Sequence, residues 1–200
     1  MGILETGKAE LRSAMRAMLL RVGREQRTEW DAQICERAME SGLLRDAEWV
    51  YAYAPLGWEP GIWNILEQVL DEGGKLALPR TGPKDGEMSF VQVSSLAELK
   101  KGRFGILEPG TEAEPLPAPV PGARITVLTP GLAFAPDGRR LGKGGGYYDR
   151  FFAVRPGVTS VGIAYEWQIR DDVLEGEQDM RVAWIVTPDR VIQTGLQSRP

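Results

Sequence analysis

The sequence predicts an α/β fold: a single domain in which a mostly parallel central sheet is flanked by helices. Three observations carry this. Short apolar runs alternate with stretches of helical periodicity, the pattern of strand–helix–strand units. The run "RITVLTP" is apolar and β-branched without polar alternation, as strands covered on both faces are. The length of 200 residues suits one domain spanning 1–200, with no internal repeat and no composition break.

Each element has its own signal. Leu11, Met15, Met18 and Val22 recur at helical spacing, so residues 5–27 are expected to form an amphipathic helix. Residues 28–44 are expected to form a second, opened by Thr28 with Glu29 and Asp31 in its first turn. The N-terminal helices thus cover 5–44. "AEWVYAYAPL" predicts a buried strand that runs into Pro55–Gly57. Residues 60–72 predict a helix stopped by Gly73–Gly74. "KLALPR" predicts a short strand ending at Pro79, and "EMSFVQV" alternates as a further strand. "EPGTEAEPLPAPVPG" has proline at alternate positions and predicts an extended surface connector. "RITVLTP" predicts a central strand, "YYDRFFAV" a helix, and "VTSVGIAY" and "VAWIVTP" the last strands.

Composition excludes several function classes. The net charge is −4, so the chain as a whole is not built to coat nucleic acid or an anionic membrane. No run approaches the ~18 apolar residues of a membrane span. The start "MGILETGKAELR" shows neither a long apolar core nor a cleavage site, so no signal peptide is expected and a cytoplasmic protein is. The single cysteine, Cys35, allows no intrachain disulfide and is expected to be a buried small hydrophobe. There is no histidine. That removes the commonest general base and every Ser-His or Cys-His nucleophile.

The stretch "DGRRLGKGGGYYDR" is the chemical centre of the sequence. Within residues 130–150 it lies beyond the carboxyl end of the "ITVL" strand, where ligands bind in open α/β sheets. Glycines let backbone N–H groups converge on an anion, and a following helix start adds partial positive charge. Arg140 and Lys143 supply full charges to phosphate oxygens, and Asp149 is suited to a magnesium ion bridging phosphates. The same glycines also suit a mere tight turn. No Gly-Lys-Ser/Thr closes the loop, and Tyr147 occupies the third position of a dinucleotide fingerprint, so neither generic phosphate motif applies.

"PGLAFAPDGRRLGKGGGYYDR" resembles the signature of the 5-formyltetrahydrofolate cyclo-ligase family, also called methenyltetrahydrofolate synthetase. Weaker matches run through most of the chain: "KAELR", Glu59, "LPR" at 78–80, "GILEP" at 105–109, Gln168, Asp179 and "IVT" at 185–187. The resemblance implies a single α/β domain. It implies a reaction that uses ATP and Mg2+ to close 5-formyltetrahydrofolate into 5,10-methenyltetrahydrofolate through a phosphorylated formyl intermediate. The nucleophile then belongs to the substrate, which suits a chain without histidine. A reduced folate is the implied partner, with no nucleic acid or membrane, on a monomer or weak homodimer.

Roles follow from the same resemblance. Lys8 and Arg12 share a helix face and are expected to reach ATP phosphates. Arg140, Gly142, Lys143, Gly144, Gly145 and Gly146 are expected to form the phosphate cradle, with Lys143 and Arg140 acting on the transferring group. Tyr147 and Tyr148 offer rings to pterin or adenine, or pack as core aromatics. Glu59 is expected to accept hydrogen bonds from the pterin, or to serve as a helix-start charge beside Pro60. Asp149 and Asp179 are the metal-ligand candidates, and Arg80 is a candidate partner for an acidic ligand group.

The chain departs from the family pattern at Ala135, usually Asp, at "PGIW" after Glu59, and at Gln178, often His. These departures keep a diverged paralog open, either an ATP-dependent enzyme on another substrate or a non-catalytic nucleotide or folate binder.

Overall fold

A computed structural model describes residues 2–102, 105–118 and 122–196. The β-branched run forms β6 (Ile125–Pro130), whose first five residues are buried. Its parallel neighbours are β1 (Trp49–Tyr51) and β9 (Thr159–Ile163). Beyond β1 lies parallel β2 (Lys75–Thr81), then antiparallel β3 (Met88–Val93). Beyond β9 lies parallel β10 (Trp184–Val186), then antiparallel β11 (Val191–Gln193). The seven-stranded order is β11-β10-β9-β6-β1-β2-β3, so the run expected to be central is central, and only the edges are antiparallel.

Two crossovers leave the middle of this sheet in opposite directions. β1 leads through α3 (Trp63–Asp71) to β2, and β6 leads through α4 (Tyr147–Ala153) to β9. Ile65 and Leu66 of α3 pack on one face with the N-terminal helices. Phe151 and Phe152 of α4 pack on the other, against Tyr51, Ala77, Phe90 and Val127. The order of the strands therefore reverses between β1 and β6. A crevice opens there, beyond their carboxyl ends.

The N-terminal helices are α1 (Ile3–Leu19) and α2 (Arg24–Glu40). The break falls at Gly23, not after residue 27 as the periodicity suggested. Thr28 lies inside α2, where its hydroxyl donates back to the Arg24 carbonyl at 3.1 Å. The buried face of α1 runs through Lys8, Met15 and Leu19, while Met18 stays 37 % exposed. Lys8 is the charged member of that buried face. The helix α3 stops where expected. Gly73, at φ +74°, and Gly74 send N–H groups to the carbonyls of Leu70 and Val69, which is the Schellman arrangement.

β2 continues through Pro79 to Thr81, past its expected end. The Ala77 carbonyl faces β1, so residue 79 faces the same side, where β1 has already ended. The missing proline N–H breaks no ladder bond there. Two small hairpins were not expected: β4 (Lys100–Lys101) with β5 (Leu107–Glu108), and β7 (Ala133–Phe134) with β8 (Arg140–Leu141). In the proline-rich connector, the Leu116 N–H joins the Phe90 carbonyl at 2.8 Å, and residues 119–121 lie outside the described residues. Cys35 is buried as expected, and burial pushes its thiol up to about 11. No helix among the described residues is long and apolar enough to cross a membrane.

If β6 is the spine of the core, truncating Leu128, 1 % exposed, should cost about 3 kcal/mol as Leu128→Ala. Leu20→Ala, at 77 % exposure, should stay within about 0.5 kcal/mol. Urea denaturation of both variants checks this, and equal losses would contradict the assignment of the core.

Candidate active site

Two loops meet in the crevice. After β1 the buried segment Ala52–Ala54 leads into a turn in which the Glu59 N–H donates to the Leu56 carbonyl. The Leu56 N–H donates in return to Glu59 Oε2 at 2.9 Å. This turns the Glu59 carboxylate inward, where its side chain is 4 % exposed. After β6 comes the glycine loop, with Gly144 at φ +105° and Gly146 at φ +65°, backbone that side-chain-bearing residues resist. Lys143 Nζ lies 2.7 Å from Glu59 Oε1 and 4.6 Å from the Trp58 ring centroid. One ion pair thus joins the loop of β1 to the loop of β6.

Helix α1 lies along the glycine loop. Arg12 Nε donates to the Gly142 carbonyl at 3.1 Å, and Arg16 Nη2 to the Lys143 carbonyl at 3.2 Å. These carbonyl oxygens would repel an anion, and guanidinium donors occupy them. Buried Gln168 supports the start of the same segment, donating to the carbonyls of Gly131 and Leu132.

The remaining cations are also paired. Arg140 Nη2 donates to Asp149 Oδ1 at 2.7 Å, and the Met180 N–H reaches the same oxygen at 3.1 Å. The Arg140 side chain is only 3 % exposed, and its Nε is buried without a hydrogen-bond partner. Lys8 Nζ lies 2.5 Å from Asp179 Oδ2, which also accepts from the Gly176 N–H.

These groups line one cavity of about 600 Å³. Five cations (Lys8, Arg12, Arg16, Arg140, Lys143) and five carboxylates (Glu5, Glu59, Glu108, Asp149, Asp179) share its walls. Pro79, Met88, Ile106, Leu56 and Ala54 supply an apolar part. Glu108 lies among these, and burial pushes its carboxyl above the usual range although the Thr81 hydroxyl donates to it. The Tyr148 hydroxyl is buried without a partner, and burial pushes its phenol up, with Glu59 adding to the effect.

Such a cavity suits a ligand with two chemistries. Phosphate oxygens can take over from carboxylates as partners of the cations. A flat heterocycle with N–H donors can lie on the apolar wall and give its hydrogens to the glutamates. Among the described residues no group of three or more His, Cys, Asp or Glu could hold a metal ion. Asp149 and Asp179, the expected metal ligands, line the cavity and here pair with Arg140 and Lys8.

Lys8, Arg12, Glu59, Arg140, Gly142, Lys143, Gly144, Gly145, Gly146, Tyr147, Tyr148, Asp149 and Asp179, singled out from the sequence, all line this cavity. Arg80 does not; it donates to the carbonyls of Gly110 and Ala113. Arg16, Glu5 and Glu108 were missed. Arg16 had a signal, since 8, 12 and 16 form one stripe of a helix. Glu108 falls within the "GILEP" match at 105–109, but its place on the cavity depends on the distant β2, whose Thr81 hydroxyl donates to it. The departures at Ala135, Pro60–Trp63 and Gln178 are absent from the cavity lining.

Comparison with known proteins gives concordant results. A family model described as the 5-formyltetrahydrofolate cyclo-ligase family matches residues 5–188. The 5-formyltetrahydrofolate cyclo-ligase of Escherichia coli is 30% identical over 175 residues, covering 84% of this chain and 92% of that protein. A probable 5-formyltetrahydrofolate cyclo-ligase of Caenorhabditis elegans is 25% identical over 195 residues, covering 93% and 95%. The NMR structure of Aquifex aeolicus 5,10-methenyltetrahydrofolate synthetase superposes with a TM-score of 0.80 at 29% identity, covering 96% of this chain and 95% of that one.

Replacing Lys143 with methionine should leave the Glu59 carboxylate buried with a single backbone donor. The expected loss of stability is roughly 1–3 kcal/mol, and Glu59→Gln in the same chain should recover most of it. Denaturant melts of the single and double variants test this; a neutral Lys143→Met would show that the pair does not hold the two loops.

Proposed function

The chain belongs to the 5-formyltetrahydrofolate cyclo-ligase family, and from that premise we propose that it is an enzyme, a ligase that closes 5-formyltetrahydrofolate into 5,10-methenyltetrahydrofolate at the expense of ATP. The observation that carries this reading is the Lys143–Glu59 contact of 2.7 Å. It puts a glycine-rich cationic loop and an inward-turned carboxylate in one cavity, as a reaction between a triphosphate and a pterin requires.

The chemistry asks little of the protein beyond position and charge. A formyl amide carbon is a poor electrophile. Its oxygen attacks the γ-phosphorus of ATP, the bond to the β-γ bridging oxygen breaks, and ADP leaves. The substrate's second nitrogen then attacks the activated carbon, loses its proton, and phosphate departs with the former formyl oxygen. Lys143 and Arg140 offset charge on the transferring phosphoryl group. Lys8, Arg12 and the loop glycines hold the rest of the polyphosphate. Glu59 accepts N–H hydrogens of the pterin. Asp149 and Asp179 would hold Mg2+, which screens phosphate charge when bound.

One consequence is built into the ligand partners. Lys143 and Glu59 pair with each other, yet each is needed by a different ligand. When a nucleotide draws Lys143 away, Glu59 is left buried with a carboxylate to satisfy, and the pterin satisfies it. Nucleotide and folate therefore favour each other's binding.

The test is an absorbance assay for the methenyl product. Product is expected only with ATP and Mg2+ together. Product without ATP would overturn the mechanism, and none with any nucleotide would move the chain to a diverged relative of the family.

A further inference from the structure

Arg150 ends the glycine stretch, and none of the roles above uses it. Its side chain leaves α4 and lies between two walls of the cavity. Nε donates to the Gly86 carbonyl at 3.1 Å, in the turn that joins β2 to β3. Nη2 donates to the Gly145 carbonyl in the phosphate loop. The guanidinium carbon stands 5.7 Å from the centroid of the Tyr147 ring. Gly145 and Tyr147 line the cavity, and so does Met88, where the chain leaves the turn to begin β3.

The backbone on both sides makes room for this guanidinium. A Cβ on Gly86 would collide with Arg150 Nη2, and one on Gly146 would come within 2.6 Å of Nη1. Both glycines also have positive φ, +86° and +65°. Two separate turns are thus without side chains where they meet the same arginine.

We propose that Arg150 is a positioning residue, a clasp that fixes the β2–β3 turn against the phosphate loop and holds the Tyr147 ring on the cavity wall. The role needs a planar fork. A lysine ammonium is a single point charge and cannot reach two carbonyls on opposite walls while stacking on a ring. The proposal rests on the reading of the cavity as a site for ATP and a folate. It makes the turn at Gly86 a determinant of that site although the turn touches no ligand. Small displacements of positioning groups are costly to rate.

The experiment compares the wild-type chain with Arg150→Lys, Arg150→Ala, Gly86→Ala and the Gly86→Ala/Arg150→Ala double variant. Two readouts are taken: steady-state kinetics for ATP and 5-formyltetrahydrofolate, and amide hydrogen exchange of residues 142–147 without ligand. Arg150→Lys and Gly86→Ala should each lower kcat/KM for ATP by about tenfold or more and speed exchange in the loop. The double variant should be no worse than Arg150→Ala alone, because both changes remove one contact. Strain from alanine at positive φ acts on the turn itself and does not reach the loop except through Arg150. Unchanged loop exchange in Arg150→Lys, or effects that multiply in the double variant, would overturn the clasp. A wild-type chain that makes no product would defeat the functional reading alone, while the exchange data still judge the clasp.

Discussion

A lysine from the glycine loop and a buried glutamate stand 2.7 Å apart where the two central crossovers part. Much of the site is organised around that contact. The sheet order puts the ends of β1 and β6 side by side, and each end carries one member of the pair. Burial forces the pairing, because a carboxylate at 4 % exposure is costly to leave without a cation. The turn at Leu56–Glu59, the arginines of α1 on the loop carbonyls, and Gln168 beneath Gly131 all serve to hold the two partners in place.

The same logic explains why the cavity balances five cations with five carboxylates. An unbalanced cluster of five cations in a part-buried cavity would repel itself and destabilise the fold. Carboxylates neutralise it in the free protein. Under the proposed function, phosphates would take over these cations from the carboxylates, in a site where the donors are already gathered. Arg140 illustrates the cost of such preparation. It is almost fully buried, held by Asp149, and keeps one N–H without a partner.

Much of this was legible in the chain. The β-branched run gave the central strand, the glycines after it gave the loop, and Lys8 with Arg12 gave the cationic face of α1. What escaped depends on contacts between distant segments. Lys8 meets Asp179, 171 residues away, and is buried in an ion pair that no local spacing reveals. The break between α1 and α2 sits at Gly23, just before α2, and the buried positions of α1 end at Leu19, although Val22 continues the apolar spacing. Glu108 lies within the "GILEP" match, but nothing local marks it as a cavity residue; its hydroxyl partner Thr81 comes from the distant β2. Asp149, singled out as a metal ligand, also anchors Arg140 and the Met180 N–H. Its loss would disturb the cradle as well as any ion bound there.

In the proposed reaction the two ligands meet through one shared ion pair, that of Lys143 and Glu59. Calorimetric titration of 5-formyltetrahydrofolate into the protein, with and without a saturating non-hydrolysable ATP analogue, addresses it directly. The predicted result is a folate Kd about tenfold lower in the presence of the analogue, a size common for coupled sites, and a gain that disappears in Glu59→Gln. Two ligands that bind independently in the wild-type protein, or that weaken each other, would contradict it.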